Sequence, residues 1–186
     1  MPIRKNIPIN TGLIFISFGC YRDIKLIEIV NGYDIVYAWF DILKLNGHQI
    51  IGYVIMPSLV HVTVDFRKAK QRINTIVGNG KRFMAYEIID RLNDGKKTEL
   101  LELLGSTVSP RRRLRGKKHN VWKLSFAWNI CRSKRSVRRA LNHCHYSPRN
   151  PKWKLCRRVI DYNHSSAMYY RTGIQGIYEV TDFRAG

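Results

Sequence analysis

The order of apolar patterns predicts an α+β fold: a ferredoxin-like, RRM-like antiparallel sheet with helices on one face, followed by a C-terminal helical extension. Three observations carry that expectation. Two Val- and Ile-rich runs, Gln49–Met56 and Val60–Phe66, flank Pro57-Ser58. They read as adjacent strands around a turn, because Pro has no backbone N–H and a fixed φ. A nearly continuous apolar run, Leu13–Cys20, precedes them, and segments with apolar residues at helical spacing lie between and after the strands. The resulting order is β, α, β, β, α, with a fourth strand still to come.

Taken in order, Leu13–Cys20 is a central strand and Tyr21–Ile29 a connection. Tyr33–Leu45 carries Ile35, Val36, Trp39, Phe40 and Leu43 at helical spacing, and Asn46-Gly47 supplies the stop signal. In the strand ending at Phe66, side chains alternate between faces. Leu59, His61 and Thr63 therefore share one face, and Val60, Val62 and Val64 the other. Ile73–Leu92 is a second helical region, expected to be broken or loosened by Gly78-Asn79-Gly80 and closed by Asp94-Gly95. Glu99–Leu104 is a short helix, and Ser109–Lys118 is too charged to pack and reads as a loop or arm. Val121–Phe126 is the candidate fourth strand. Ser133–Tyr146 is a helix with Ser133 as N-cap and Pro148 as its stop, and Asn163–Tyr170 is a last short helix before Gly173. There is no internal repeat. The expected organisation is one domain over residues 1–186: a sheet and helix core at 11–104, a basic loop at 105–120, and the last strand, helix and extension at 121–186.

Charge narrows the function. The chain has 33 Lys and Arg against 13 Asp and Glu, a net charge of +20. Between Glu102 and Asp161 there are 17 cationic residues and no acidic one. A solvated basic face is a poor account of so many cations without an acid, so the pattern points to a polyanion, nucleic acid first and a membrane surface second. Lys81, Arg82, Arg111, Arg112, Arg113, Arg115, Lys117, Lys118, Arg138 and Arg139 are the expected DNA contacts. Trp122, Trp128, Tyr146 and Trp153 interleave with cations as stacking on unpaired bases requires, although each singly also suits a core. No run of about 18 apolar residues exists, so no membrane span is expected. Met1–Asn10 lacks the pattern of a signal peptide, and the expected compartment is the cytoplasm. Cys20, Cys131, Cys144 and Cys156 have no CxxC or zinc spacing and are expected as reduced thiols. A metal cluster of His143, Cys144 and His145 is disfavoured, because adjacent helical residues point in different directions.

His61 is ambiguous by itself, since a lone strand histidine is more often a hydrogen-bonded structural residue than a ligand. Its setting adds to it. Gly52–His61 (GYVIMPSLVH) resembles the strand–turn–strand of the single-tyrosine HUH transposases, including the REP-associated tyrosine transposases, whose turn typically reads Met-Pro-Asn-His-Val-His. Phe15–Tyr21 resembles the family's first strand, and residues 78–88 its second-helix segment. Leu141–Pro148 (LNHCHYSP) resembles the end of its catalytic helix, and Asp161–Tyr170 its Asp-Tyr-x-x-Ser-Ser-Ala stretch. The matches run in order from residue 13 to residue 183.

The resemblance implies metal-dependent cleavage and rejoining of single-stranded DNA in transposition. In the family a histidine pair and a polar group hold Mg²⁺ or Mn²⁺, and a helix tyrosine attacks phosphorus to leave a 5′-phosphotyrosine. Carried over by position, His61 is the second metal histidine, Leu59 stands at the first and cannot bind a metal, and Ser147 stands at the polar-ligand position. His143 occupies the tyrosine position, with Tyr146 one turn on as a substitute nucleophile, and Ser58 replaces an asparagine of the turn. Each change is reachable by one nucleotide substitution, the pattern expected when selection for chemistry is lost. The expectation is a transposase relative that binds DNA hairpins as monomer or homodimer, with catalysis absent or impaired. A domesticated or decaying hairpin-binding protein and an RNA-binding protein are the alternatives.

Overall fold

The computed structural model describes residues 7–67 and 69–184; part of the Met1–Asn10 expectation lies outside them. Four strands form an antiparallel sheet in the order β2-β3-β1-β4: β1 (Gly12–Gly19), β2 (Gln49–Met56), β3 (Leu59–Phe66) and β4 (Ala127–Ile130). The connection after β1 holds one helical turn, α1 (Leu26–Ile29). Helix α2 (Tyr33–Leu45) buries Ile35, Val36, Trp39, Phe40 and Leu43 as its periodicity requires, and the chain turns out at Gly47 with φ +81°. The inward valines Val60, Val62 and Val64 meet α2 and α3 (Ile73–Asp94) in the main core.

Helix α3 is continuous through Gly78-Asn79-Gly80, which corrects the expected break. Gly80 is set by packing: a Cβ there would drive into the Trp39 indole of α2. Helical geometry tolerates glycine at a cost, and here the missing side chain lets two helices approach. Gly80→Ala is therefore expected to destabilise the protein by about 1–3 kcal/mol, the usual cost of overpacking, although alanine is the better helix former. Gly78, with open space around it, is the matched control: Gly78→Ala is expected to raise the urea midpoint slightly where Gly80→Ala lowers it.

The fourth strand also departs from expectation. Val121–Phe126 pairs with the sheet only at its start, through the Cys20–Trp122 bridge and Lys123 N–H donating to Gly19 O at 2.9 Å. The ladder resumes at Ala127. Trp122 causes the early pairing: it is buried, donates Nε1–H to Lys81 O at 2.7 Å and packs edge-on against Phe18. Leu124 is left 70% exposed as the chain leaves the ladder. Upstream lie α4 (Thr98–Ser106) and a single turn, α5 (Pro110–Arg113), inside the stretch expected as an irregular arm.

Helices cover both faces of the sheet. α6 (Lys134–Tyr146) starts at Ser133, whose hydroxyl accepts from Ser136 N–H at 3.2 Å in a reciprocal capping box. It buries Val137, Leu141, Cys144 and His145 over Phe15, Ile51, Val54 and Met56. Contact is closest at Gly52, where a Cβ would collide with Leu141. The open edge of β2 is sealed by the segment before α7 (Ala167–Thr172) and by α7 itself: Ile55 N–H donates to His164 O at 2.9 Å, Tyr162 donates to Ile55 O, and Tyr170 of α7 donates to Ile51 O. No helix among the described residues is long and apolar enough to cross a membrane.

Candidate functional site at the seam of strand and helix

β3 lies between β1 and β2, with Ser17 and Val54 opposite His61. His61 therefore projects from the middle of the sheet toward α6. Its ring centroid lies 4.8 Å from that of His143, and Phe15 sits 5.5 Å from His61 and 5.6 Å from His143. His61 is 5% exposed, whereas His143 lies on the exposed flank of α6. His61 Nδ1 is buried without a hydrogen-bond partner, as is Ser58 Oγ in the turn. Burial first, and His143 second, push the His61 pKa down to about 3, so the ring is neutral. The fold thus brings together the two positions that the sequence singled out 82 residues apart.

The other site positions are engaged differently. Leu59 projects on the same face as His61, packs against the α6 cluster and offers no donor atom. Ser147 Oγ donates to His143 O, so its hydroxyl closes the helix end. Tyr146 is 44% exposed and accepts a hydrogen bond from Arg171 at 2.9 Å. His145 faces inward: its Nε2 lies 2.9 Å from Ser166 Oγ, which also accepts from Tyr53 N–H. This lock between α6, β2 and the C-terminal segment was not visible as a role in the sequence; its trace was the Asp161–Ala167 stretch.

A Mg²⁺ or Mn²⁺ ion of the kind the resemblance implies does not suit these residues. Hard cations take oxygen ligands, and the strand supplies a leucine and one imidazole. Among the described residues no three His, Cys, Asp or Glu side chains converge on one point.

The cationic residues separate into groups. Lys81 and Arg82 of α3 meet Arg112, Arg115, Lys117 and Lys118 across a groove of about 1130 Å³, with Lys123, Tyr86, Trp122 and Phe126 also on its walls and Asp90 its sole acidic lining residue. Arg138 and Arg139 are exposed on α6, across the sheet. Arg111 is exposed outside the groove lining. Arg113 turns back to donate to Gly105 O and Val108 O at the end of α4, a structural contact that the sequence expectation missed. Trp122 is core, while Tyr86 is 58% exposed at the groove.

Lys81 is 8% exposed at the groove and donates to Lys123 O at 3.0 Å. Burial first, and the nearby Lys117 second, lower its pKa from 10.5 to about 8. At Lys81 the unfolded chain therefore binds more protons than the native one between these values, so this residue's own contribution to stability grows by about 3 kcal/mol as pH rises through that window, while the buried Cys20 and Cys144 thiols, whose pKa values burial raises, contribute in the opposite direction above about pH 9. Lys81→Met is expected to remove this contribution, read as a stability difference between the natural chain and the variant that grows in favour of the natural chain in urea titrations run from pH 7.5 to pH 10. Polyanion affinity is expected to move the other way, falling as pH passes about 8, because the deepest cation of the groove becomes neutral.

No protein-family model matches the sequence, and no curated protein matches it. Among solved structures, a REP-associated tyrosine transposase bound to a REP hairpin aligns over 100% of this chain and 97% of its own, with a TM-score of 0.63 at 16% identity. The fold is that of a tyrosine transposase. A protein from Deinococcus radiodurans described as a candidate transposase aligns over 76% of this chain and 95% of its own, with a TM-score of 0.44 at 14% identity. In this chain α2 and α3 build the core on one face of the sheet, and α6 on the other face carries position 143 to the strand histidine.

Proposed function

We propose that this chain is a DNA-binding protein built on the transposase fold, that it holds hairpin-bearing single strands, and that cleavage through a helix tyrosine is lost at Leu59 and His143. The observation that carries the reading is the groove between α3 and the 112–126 segment, where six of the cations singled out from the sequence converge with one carboxylate among the lining residues. Phosphate contacts supply position and most affinity in nucleic-acid binding, and Tyr86 and Phe126 add ring surface for an unstacked base. The solved transposase of this fold was captured on a REP hairpin, which makes a hairpin the first ligand to test.

The loss of cleavage rests on the residues at the seam. A leucine replaces one donor, an imidazole stands where the attacking phenol is expected, and the Tyr146 hydroxyl is held by Arg171. An RRM-like use of the sheet is disfavoured: Val60, Val62 and Val64 are buried on one face of β3, and α6 covers the other. The test is fluorescence anisotropy with DNA hairpins carrying single-stranded flanks, against RNA hairpins of matching sequence, over a salt series. Tighter binding to DNA with a steep salt dependence supports the reading. Preference for RNA would replace it with the RNA-binding alternative, and equal affinity for both would reduce it to backbone binding without DNA selectivity.

A further inference from the structure

We propose that Lys81 is an amine nucleophile that captures an aldehyde of the DNA backbone, the ring-opened sugar of an abasic site, in the groove between α3 and the 112–126 segment. This activity rests on the DNA-binding reading and names a substrate class for the same groove. Lys81 is 8% exposed, yet among the described residues no carboxylate pairs with it. Its one side-chain hydrogen bond among those residues goes to the Lys123 carbonyl at 3.0 Å. Asp90, the acid of the groove lining, lies nine positions further along α3, about 13 Å away along the helix axis. A buried lysine is ordinarily paired, so an uncompensated one on the wall of a groove needs an explanation.

The surroundings are those that make an amine reactive. The rings of Phe18 and Phe126 lie 5.7 and 5.9 Å from Nζ, and Lys117 repels its charge. Desolvation and a neighbouring cation are the two devices that turn a lysine into a nucleophile. Here they hold its pKa near 8, so at pH 7.5 about a quarter of the amine is neutral, against about a thousandth for an ordinary lysine. The rest of the groove selects the carbonyl. Arg82, Arg112 and Arg115 suit phosphates on either side of the reacting carbon. An intact nucleotide offers an alkyl amine no aldehyde. A nucleotide that has lost its base offers C1′ as one and leaves free the space that the base would fill. The Nζ lone pair adds to C1′, both amine hydrogens leave with the carbonyl oxygen as water, and a C=N bond replaces C=O. The step needs no oxidant or reductant and reverses by hydrolysis.

The experiment uses the full chain and a DNA hairpin with one abasic site in its single-stranded flank. Sodium borohydride is added to reduce the imine to a stable secondary amine, and a denaturing gel and mass-spectrometric mapping read the adduct. The same hairpin with tetrahydrofuran in place of the abasic sugar lacks the aldehyde, and anisotropy on it measures binding alone. The natural chain is expected to give an adduct that maps to Lys81. Lys81→Arg keeps the charge without the nucleophile; it is expected to stay folded by circular dichroism and to trap at least about tenfold less at equal occupancy. Binding of the tetrahydrofuran hairpin without an adduct from the abasic one would overturn the proposal and leave the DNA-binding reading standing. An adduct that maps to another lysine or to the N-terminal amine would overturn it in the natural chain itself, whatever the variant does. Failure to bind the tetrahydrofuran hairpin would overturn the DNA-binding reading and this activity with it.

Discussion

No covalent protein–DNA adduct is expected when the natural chain meets hairpin-bearing single strands with Mn²⁺, and an adduct is expected from the Leu59→His/His143→Tyr double variant. The two changes act on one seam. Leu59 lies on the same face of β3 as His61, so a histidine there returns a second imidazole to that face. Position 143 is within ring contact of His61, so a tyrosine there puts a phenol beside the ion that the strand pair would hold. Each single variant should remain inactive, because a phenol without an ion and an ion without a phenol each lack half of the chemistry. The gain from the natural chain to the double variant is expected to exceed about a thousandfold, given how steeply such reactions depend on placement. A denaturing gel with labelled DNA reads the result. Tyr146→Phe is the necessary companion: an adduct from the natural chain that disappears in Tyr146→Phe would show that Tyr146 has taken over the attack and that catalysis survives.

Reversing three groove charges, Arg112→Glu, Arg115→Glu and Lys117→Glu, is expected to lower hairpin affinity by about 10²–10³-fold at 0.1 M salt and to flatten the log–log salt dependence by about three. These side chains are exposed or half-buried and lie across the groove from Lys81 and Arg82. Their loss should leave folding intact, which circular dichroism verifies. Arg138→Glu/Arg139→Glu, on α6 across the sheet, measures the contribution of the second basic surface. If the α6 pair costs more affinity than the groove triple, the DNA follows the face of His61 and His143 and the groove assignment is wrong.

Much of this architecture was legible in residue patterns. The two central strands, helix α2, the Ser133 cap and the opposite-face placement of His61 and the valines follow from period, propensity and capping chemistry, which are local properties of the chain. The excess of cations and the acid-free stretch 103–160 were likewise enough to point to a polyanion. The groove itself was not legible. Lys81 and Lys117 are 36 positions apart, and only the return of the chain along β1 through Trp122 brings them together.

Where the sequence misled, a distant contact overrode a local rule. Gly78-Asn79-Gly80 has the composition of a break, but the Trp39 indole fills the space above Gly80 and the helix runs through. Val121–Phe126 has strand composition, but Trp122 is committed to the core and the ladder resumes only at Ala127. Arg113 belongs to the most basic run and is spent on capping a helix. The sequence alone determined the α+β pattern and the excess of positive charge, because each is written in adjacent or periodic residues, and the family resemblance marked positions 59 and 143. Tertiary structure alone decided that α6 covers the second face of the sheet, that His143 meets His61, and that the cations divide between two surfaces, because these depend on which distant segments share space.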